Sequence, residues 1–251
     1  MNLKKIFVFG GSGLIGKSLI KKLSNSKFDI VNIDVKFDGN NKKNNFYLDL
    51  FDSKNLENRL NNLIKKFGIP DSVVFASYPA TKNFSQQTAE KSDLIELNKN
   101  IEFQLSNICW TANKLAKTMK SRRKRNILLI SSIYGLVGQN IEIYKGTTMK
   151  ENICYPIIKG GIISFTKQLA SIYGKYDLRV NCLSPGAILG HVKNSKKKQP
   201  KKFIENFSKQ VPLKRLANPK EIANVINFLI SEESSYITGA TIIADGGWTA
   251  I

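Results

Sequence analysis

Seven short apolar runs recur along the chain: "KIFVFG", "DIVNIDV", "NFYLDL", "DSVVFAS", "NILLISS", "LRVNCLS" and "GATIIAD". Their apolarity is nearly continuous, where a strand with one wet face would alternate. Continuous apolar strands with helical stretches between them are the mark of a parallel sheet covered on both faces. The pattern predicts an α/β fold, a doubly wound parallel sheet of about seven strands with helices on each side. Two of the helical stretches carry full apolar stripes. Ile101, Leu105, Ile108, Ala112, Leu115 and Met119 step by four and three, as do Ile158, Ile162, Phe165, Leu169 and Ile172. At 251 residues, 42% of them apolar, the expected organisation is a single domain over 1–251.

The amino terminus, "MNLKKIFVFGG", sets charge before apolar residues as a signal peptide does, but the apolar stretch meets glycine too soon for a secretory core. No apolar run is long enough to span a membrane. The expectation is a cytoplasmic protein with no membrane partner. Cys109, Cys154 and Cys182 form no CxxC pair and are expected as buried thiols in a reducing compartment. With one histidine, His191, no His/Cys metal cluster can be assembled, so no metal is expected. The net charge of +20 would suit nucleic acid or an acidic ligand. Yet 33 of the basic residues are lysine and 6 arginine, the Lys/Asn/Ile bias of an AT-rich genome. The blocks "KSRRKRN" (120–126) and "KNSKKKQPKK" (193–202) are read first as solvated loops and helix ends, then as attraction for an anionic small substrate. Nucleic acid rests on charge alone and is not an expected partner.

"FGGSGLIGKSLI" joins the first strand to a helix and places Gly10, Gly13 and Gly16 around Ser12. Glycines at such places give a tight turn, close backbone approach to a pyrophosphate and helix–strand packing, while the helix N-terminus offers free N–H groups to an anion. The second strand ends on Asp34, where a carboxylate accepts hydrogen bonds from the ribose 2′-hydroxyl of NAD and repels the 2′-phosphate of NADP. NAD is the expected cofactor, with NADP possible because Lys36 stands nearby.

"CYPIIKGGIISF" sets Tyr155 and Lys159 one helical turn apart, on one face. Alone the pair reads equally as core and surface. Together with the glycine loop, "LDL" at 48–50, "ILLISSIYG", "RVNCLSPGAI" and the closing "NPKEIANVINFLISEESSYITGATIIADGGW", it resembles the short-chain dehydrogenase/reductase family, in its branch of about 250 residues. The resemblance runs in order over essentially the whole chain. It implies a Rossmann-type sheet and a dinucleotide held by Gly10, Ser12, Gly13, Ile15, Gly16, Asp34, Asp49, Leu50, Ala76, Ser77, Pro185, Gly186 and Ile188, and by Tyr155 and Lys159. It implies Tyr155 as acid/base, Lys159 lowering the phenol's pKa and holding the nicotinamide ribose, and Ser132 orienting the substrate oxygen. Asn98 matches the asparagine that kinks the long helix and holds a water, with Asn100 as its competitor. The implied reaction is hydride transfer between nicotinamide C4 and a secondary alcohol or ketone.

The sequence departs from that family in three places. The middle glycine falls at 13, as in the larger sugar-nucleotide epimerases and dehydratases, which makes an NAD-dependent epimerase or dehydratase the alternative reading. The segment after the fourth strand is "FASYPAT" (75–81), so only backbone contacts from Ala76 and Ser77 are expected there. The stretch from Ser132 to Tyr155 carries an insertion, "YGLVGQNIEIYKGTTMKENI", expected to loop over the site and bring Tyr144 and Lys145 near the substrate. "SSIYG", "IYKGTTM" and "YPIIKGGI" more loosely resemble enzymes of flagellin-glycan and sialic-acid-like sugar pathways, implying a sugar substrate. A substrate lid is expected over about 188–212, with His191 at its rim. The striped helices are expected to pair subunits into a homotetramer or homodimer. The alternative from another class, a non-catalytic dinucleotide sensor or interaction protein, has no use for the Ser132, Tyr155 and Lys159 set.

Overall fold

A computed structural model describes residues 3–24, 28–37, 44–190 and 199–251. The seven apolar runs form seven strands: β1 (Lys4–Phe9), β2 (Phe28–Asp34), β3 (Asn45–Tyr47), β4 (Ser72–Phe75), β5 (Arg125–Ile130), β6 (Leu178–Pro185) and β7 (Thr241–Ala244). They make one sheet in the order β3-β2-β1-β4-β5-β6-β7. Every pairing in it is parallel. Connections run one way from β1 through β3 and the other way from β4 through β7, so the order reverses between β1 and β4. In open parallel sheets the crevice beyond the carboxyl ends of such a pair is where ligands bind.

Successive side chains on a strand point to opposite faces, and each face buries its own core. Phe7 and Phe9 of β1, with Val73, Phe75, Ile127 and Leu129, pack under α2 (Leu56–Phe67), α4 (Asn107–Met119) and α5 (Cys154–Tyr173). Ile6 and Val8, with Val74, Leu128 and Leu183, pack under α1 (Leu14–Leu23) and α7 (Pro219–Ile230). A third, separate cluster of Ile133, Ile143, Phe203, Phe207, Val211 and Leu216 joins the insertion to α6 (Lys201–Gln210).

Both apolar stripes pack as expected over most of their length, with two differences. The first stripe is not one uninterrupted α-helix: α3 (Leu94–Ile101) passes into a π turn at Glu102–Ser106 before α4 begins. In the second, Ile158, Ile162 and Leu169 are buried, but Ile172 is 44% exposed and turned away from the sheet. Cys154 and Cys182 are buried and Cys109 half-buried, all three as free thiols. Among the described residues no group of His, Cys, Asp and Glu is placed to hold a metal ion, and no helix is long and apolar enough to cross a membrane.

Candidate active site

The site begins with two turns at the carboxyl ends of β1 and β4. The Gly10 N–H donates to the Ile33 carbonyl at 2.8 Å, and the Ala76 N–H donates to the Phe9 carbonyl at 2.8 Å. Gly10 has φ +77°, a left-handed conformation that glycine adopts freely, and a Cβ there would lie 2.5 Å from the Ser77 backbone. The two turns therefore touch, main chain on main chain. Asp34, at the end of β2, ties the glycine loop down: its carboxylate accepts from the Ser12 N–H at 2.9 Å and from the Val35 N–H at 2.7 Å. Asn32 Nδ2 adds a bond to Ser12 Oγ at 3.2 Å.

No side chain caps α1, and its first turn holds no acidic residue. The leading N–H groups of a helix have no intrahelical partners, so this end presents donors and a positive dipole to an anion. The Ser77 hydroxyl, at the cleft wall, is buried without a partner. These features fit a dinucleotide pyrophosphate at α1, with the Asp34 carboxylate beside the loop. Asp49 makes an exposed local turn, its carboxylate accepting from the Phe51 N–H at 2.9 Å, while Leu48 and Leu50 on either side are buried.

A cleft of about 290 Å³ opens beyond these turns. Ile15, Ala76 and Ser77 line one side and Pro185, Gly186 and Ile188 the other, with Ser132, Tyr155 and Lys159 at its floor. Ser132 leaves β5 and starts a 3-10 turn, Ile133–Gly135, where its hydroxyl accepts from the Tyr134 N–H at 3.3 Å. That turn lies flat on α5: a Cβ on Gly135 would meet the Lys159 carbonyl carbon at 2.7 Å. Ser131 Oγ donates to the Lys159 carbonyl at 2.7 Å. Ser132 is thereby held in the cleft that Tyr155 and Lys159 also line.

Lys159 is buried, 6% exposed, and its ammonium donates to the Ile130 carbonyl at 3.1 Å. It lies over two phenol faces, 5.6 Å from the Tyr155 ring centre and 5.7 Å from that of Tyr78. Burial lowers its pKa to about 8, with the nearby Cys182 thiol acting weakly the other way. Burial raises the Tyr155 phenol, and the Ser132 hydrogen bond opposes that rise. This differs from the expectation that Lys159 depresses the phenol. The ammonium faces the two rings and the Ile130 carbonyl rather than the phenol oxygen's charge, and it is not among the causes that move the Tyr155 phenol.

The lysine has a consequence for stability. The unfolded chain keeps that proton up to the ordinary value of 10.5, the folded chain only to about 8. Between those values the unfolded state binds more protons, so this group makes stability rise with pH. In Lys159→Met the increase in denaturation midpoint from pH 8 to pH 10 should be smaller than in the parent. An unchanged slope would show that the lysine is not desolvated.

The structure separates the two asparagines. Asn98 is exposed on α3, and the expectation that it lies at the kink is corrected. Asn100 is fully buried immediately before the π turn: its Nδ2 donates to the Glu96 carbonyl at 2.8 Å and to Thr81 Oγ1 at 2.9 Å. Its Oδ1 accepts from the Thr81 N–H at 3.1 Å and from Gln104 Nε2 at 3.0 Å. The physical reason is register. With α3 starting at Leu94, position 100 falls inward and position 98 outward.

The insertion also differs from expectation in its details. Tyr144 stacks on Phe203 at 6.0 Å and donates to Gln139 Oε1 at 3.1 Å, so it supports the wall from behind. Lys145 is exposed and paired with Glu142 at 2.7 Å, away from the floor of the cleft. The residue that faces the cleft is Tyr134, with Tyr78, Phe203 and Phe207. Tyr78, Phe84 and Tyr134 set their rings edge-on to Tyr155 at 6.0, 6.3 and 6.4 Å. None of these was singled out from the sequence; the signal available was "FASYPAT" itself, which puts an aromatic where the cofactor-binding turn needs only backbone. His191 and the lysines at 193 and 196–198 lie outside the described residues.

Comparison with known proteins places this geometry among others. A family model described as Enoyl-(Acyl carrier protein) reductase matches residues 33–249. Post-translational flagellin modification protein A of Campylobacter coli is 28% identical, over 98% of this chain and 98% of its own. Glucose 1-dehydrogenase 2 of Bacillus subtilis (strain 168) is 26% identical, over 98% of this chain and 95% of its own. The crystal structure of a short chain dehydrogenase from Leptospira borgpetersenii with bound NAD+ superposes with a TM-score of 0.82 at 27% identity, covering 99% of this chain and 94% of that one.

Proposed function

Because the chain belongs to the short-chain dehydrogenase/reductase family and is an NAD(P)-dependent oxidoreductase of it, we propose that its cofactor is NAD and its substrate a sugar or sugar derivative, acted on at a secondary alcohol or ketone. The observation that carries the reading is the convergence of Ser132, Tyr155 and Lys159 on one cleft that Ile15 of α1 and Ala76 after β4 also line. NAD, when bound, accepts or donates the hydride. The chain does the rest. Ser132 and Tyr155 hold the substrate oxygen between two hydroxyls, and Tyr155 takes its proton in oxidation or returns it in reduction. Lys159 supplies a positive charge beneath the phenol, and its ammonium can turn from the Ile130 carbonyl toward a ribose hydroxyl. Asn100, in place of Asn98, is proposed as the residue that fixes the kink in the long helix.

Two observations favour NAD and a sugar. Asp34 sits at the end of β2 with its carboxylate against the loop, where a 2′-phosphate would meet like charge. The cleft is also walled by Tyr78, Tyr134 and Phe203, aromatic rings of the kind that pack against the apolar face of a sugar. Two full-length relatives are named for flagellin modification and for glucose dehydrogenation. An anionic group on that sugar would be met by Lys201 and Lys202 at the start of α6, within the proposed lid of 188–212. Leu94 and Ile95 on α3, 69% and 64% exposed, favour subunit pairing in a homotetramer or homodimer.

The test begins without substrate. Titration of tryptophan fluorescence should show saturable binding of NADH, with NADPH weaker. Asp34→Ala also frees the Ser12 turn, so it should weaken both cofactors, NADH by about tenfold more than NADPH, the value of a lost charge-assisted hydrogen bond to the ribose. Equal losses for both would remove Asp34 from the ribose. Aldoses, polyols and nucleotide-linked sugars are then screened for NADH formation; bound cofactor with no turnover of any of them would overturn the sugar assignment.

A further inference from the structure

Asn152 stands three residues before Tyr155, at the end of the insertion, and is 9% exposed. All four of its polar groups are used. Its Oδ1 accepts from the Tyr155 N–H at 2.9 Å. Its Nδ2 donates to the carbonyl of Phe84, whose ring stands 6.3 Å from that of Tyr155. Its main chain pairs with one side chain of the insertion: Gln139 Oε1 accepts from the Asn152 N–H at 3.1 Å, and Gln139 Nε2 donates to the Asn152 carbonyl at 2.8 Å. Gln139 Oε1 also accepts from Tyr144, whose ring stacks on Phe203 of α6. One side chain thus joins the start of α5, the aromatic wall and the insertion.

We propose that Asn152 is a positioning residue: through it the insertion and the Phe84 wall fix the backbone and ring of Tyr155. The proposal rests on the reading of Tyr155 as the acid/base. A cap of this kind is common at helix starts, where Asn is among the preferred residues. Here the capped N–H belongs to the tyrosine itself, and the capping amide is clamped at its other end. A linkage that holds a reacting group to within a fraction of an ångström matters because a displacement of about 1 Å costs about 10²-fold in rate.

The readout is the titration of the Tyr155 phenol, followed as the near-ultraviolet difference between each protein and the same protein carrying Tyr155→Phe. It needs no substrate. The groups that face Tyr155 are Lys159 on its own helix, Ser132 and Tyr134 after β5, Tyr78 after β4 and Tyr144 of the insertion. None of these is substituted in the variants, and only Gln139→Ala removes a partner of one of them, the acceptor of the Tyr144 hydroxyl. Burial is what raises the phenol, so a ring released from its clamp meets more water and titrates nearer the ordinary value of 10. The expected result is a lower Tyr155 midpoint in Asn152→Ala, restoration in Asn152→Ser, which keeps an oxygen for the Tyr155 N–H, and NADH affinity within twofold throughout. Gln139→Ala, which keeps the cap and loses the clamp, should move the midpoint the same way by a smaller amount; it decides the matter if Asn152→Ala does not fold. Midpoints in the variants equal to the parent's would overturn the proposal, as would a shift in Asn152→Ala that Asn152→Ser does not restore. Failure of the acid/base reading is seen separately, as turnover surviving in Tyr155→Phe.

Discussion

Tyr155→Phe should lose turnover by about 10²- to 10⁴-fold, the usual contribution of a positioned acid/base, while binding NADH as the parent does. The separation of the two effects follows from the packing. Phenylalanine keeps the ring that Tyr78, Phe84 and Tyr134 touch edge-on, and it keeps the ring face presented to Lys159. What leaves is one hydroxyl, the group whose pKa Ser132 acts to lower. The cofactor side of the cleft, from Gly10 to Ile15 and from Pro185 to Ile188, is untouched. Steady-state kinetics with the best sugar from the screen, beside a fluorescence titration with NADH, measures both. Activity within about threefold of the parent would transfer the proton to another group.

Gly10→Ala should act in the opposite way, on fold and cofactor together. The residue has φ +77°, which costs a non-glycine residue about 1–2 kcal/mol. The added methyl would also lie 2.5 Å from Ser77 Cα and N and 2.7 Å from the Ala76 carbonyl carbon, all backbone atoms that cannot swing aside. The β1 and β4 turns must part, opening the switch point of the sheet. A loss of about 3 kcal/mol or more is expected, lowering the melting temperature by roughly 6–12 °C for a chain of this size. NADH titration should fail even below the transition, because the loop that presents the α1 N-terminus has moved. Parent-like melting and binding would mean that the two turns are farther apart than described.

The sheet was legible in the sequence because strands buried on both faces leave short, nearly continuous apolar runs that recur with helical stretches between them. Gly10 and Asp34 were legible for a related reason: each answers a local requirement, a left-handed turn or a carboxylate at a strand end. Tyr155 and Lys159 were legible only in company, since a spacing of four marks any helix face. The choice between Asn98 and Asn100 depended on where α3 begins, and helix boundaries are the part of a pattern that propensity specifies least. Tyr78, Tyr134 and Asn152 were missed because their roles are set by contacts across the chain. Asn152 meets Phe84 and Gln139 through bonds that no local pattern announces. The insertion hid Tyr144 in the same way: its position suggested the substrate, and its packing on Phe203 turned it into a support.

The third apolar cluster has a consequence for how such a chain changes over time. Ile133, Ile143, Phe203, Phe207, Val211 and Leu216 form a small core that shares no buried member with the two cores of the sheet. Free energies of groups with no shared partners add nearly independently, and small, surface-lying units open at lower cost than central strands. Substitutions in this roof can therefore reshape what enters the cleft while the strands that present Gly10 and Asp34 stay folded. Divergence in substrate can proceed in one module without risking the other, with the cofactor kept on the durable part of the molecule.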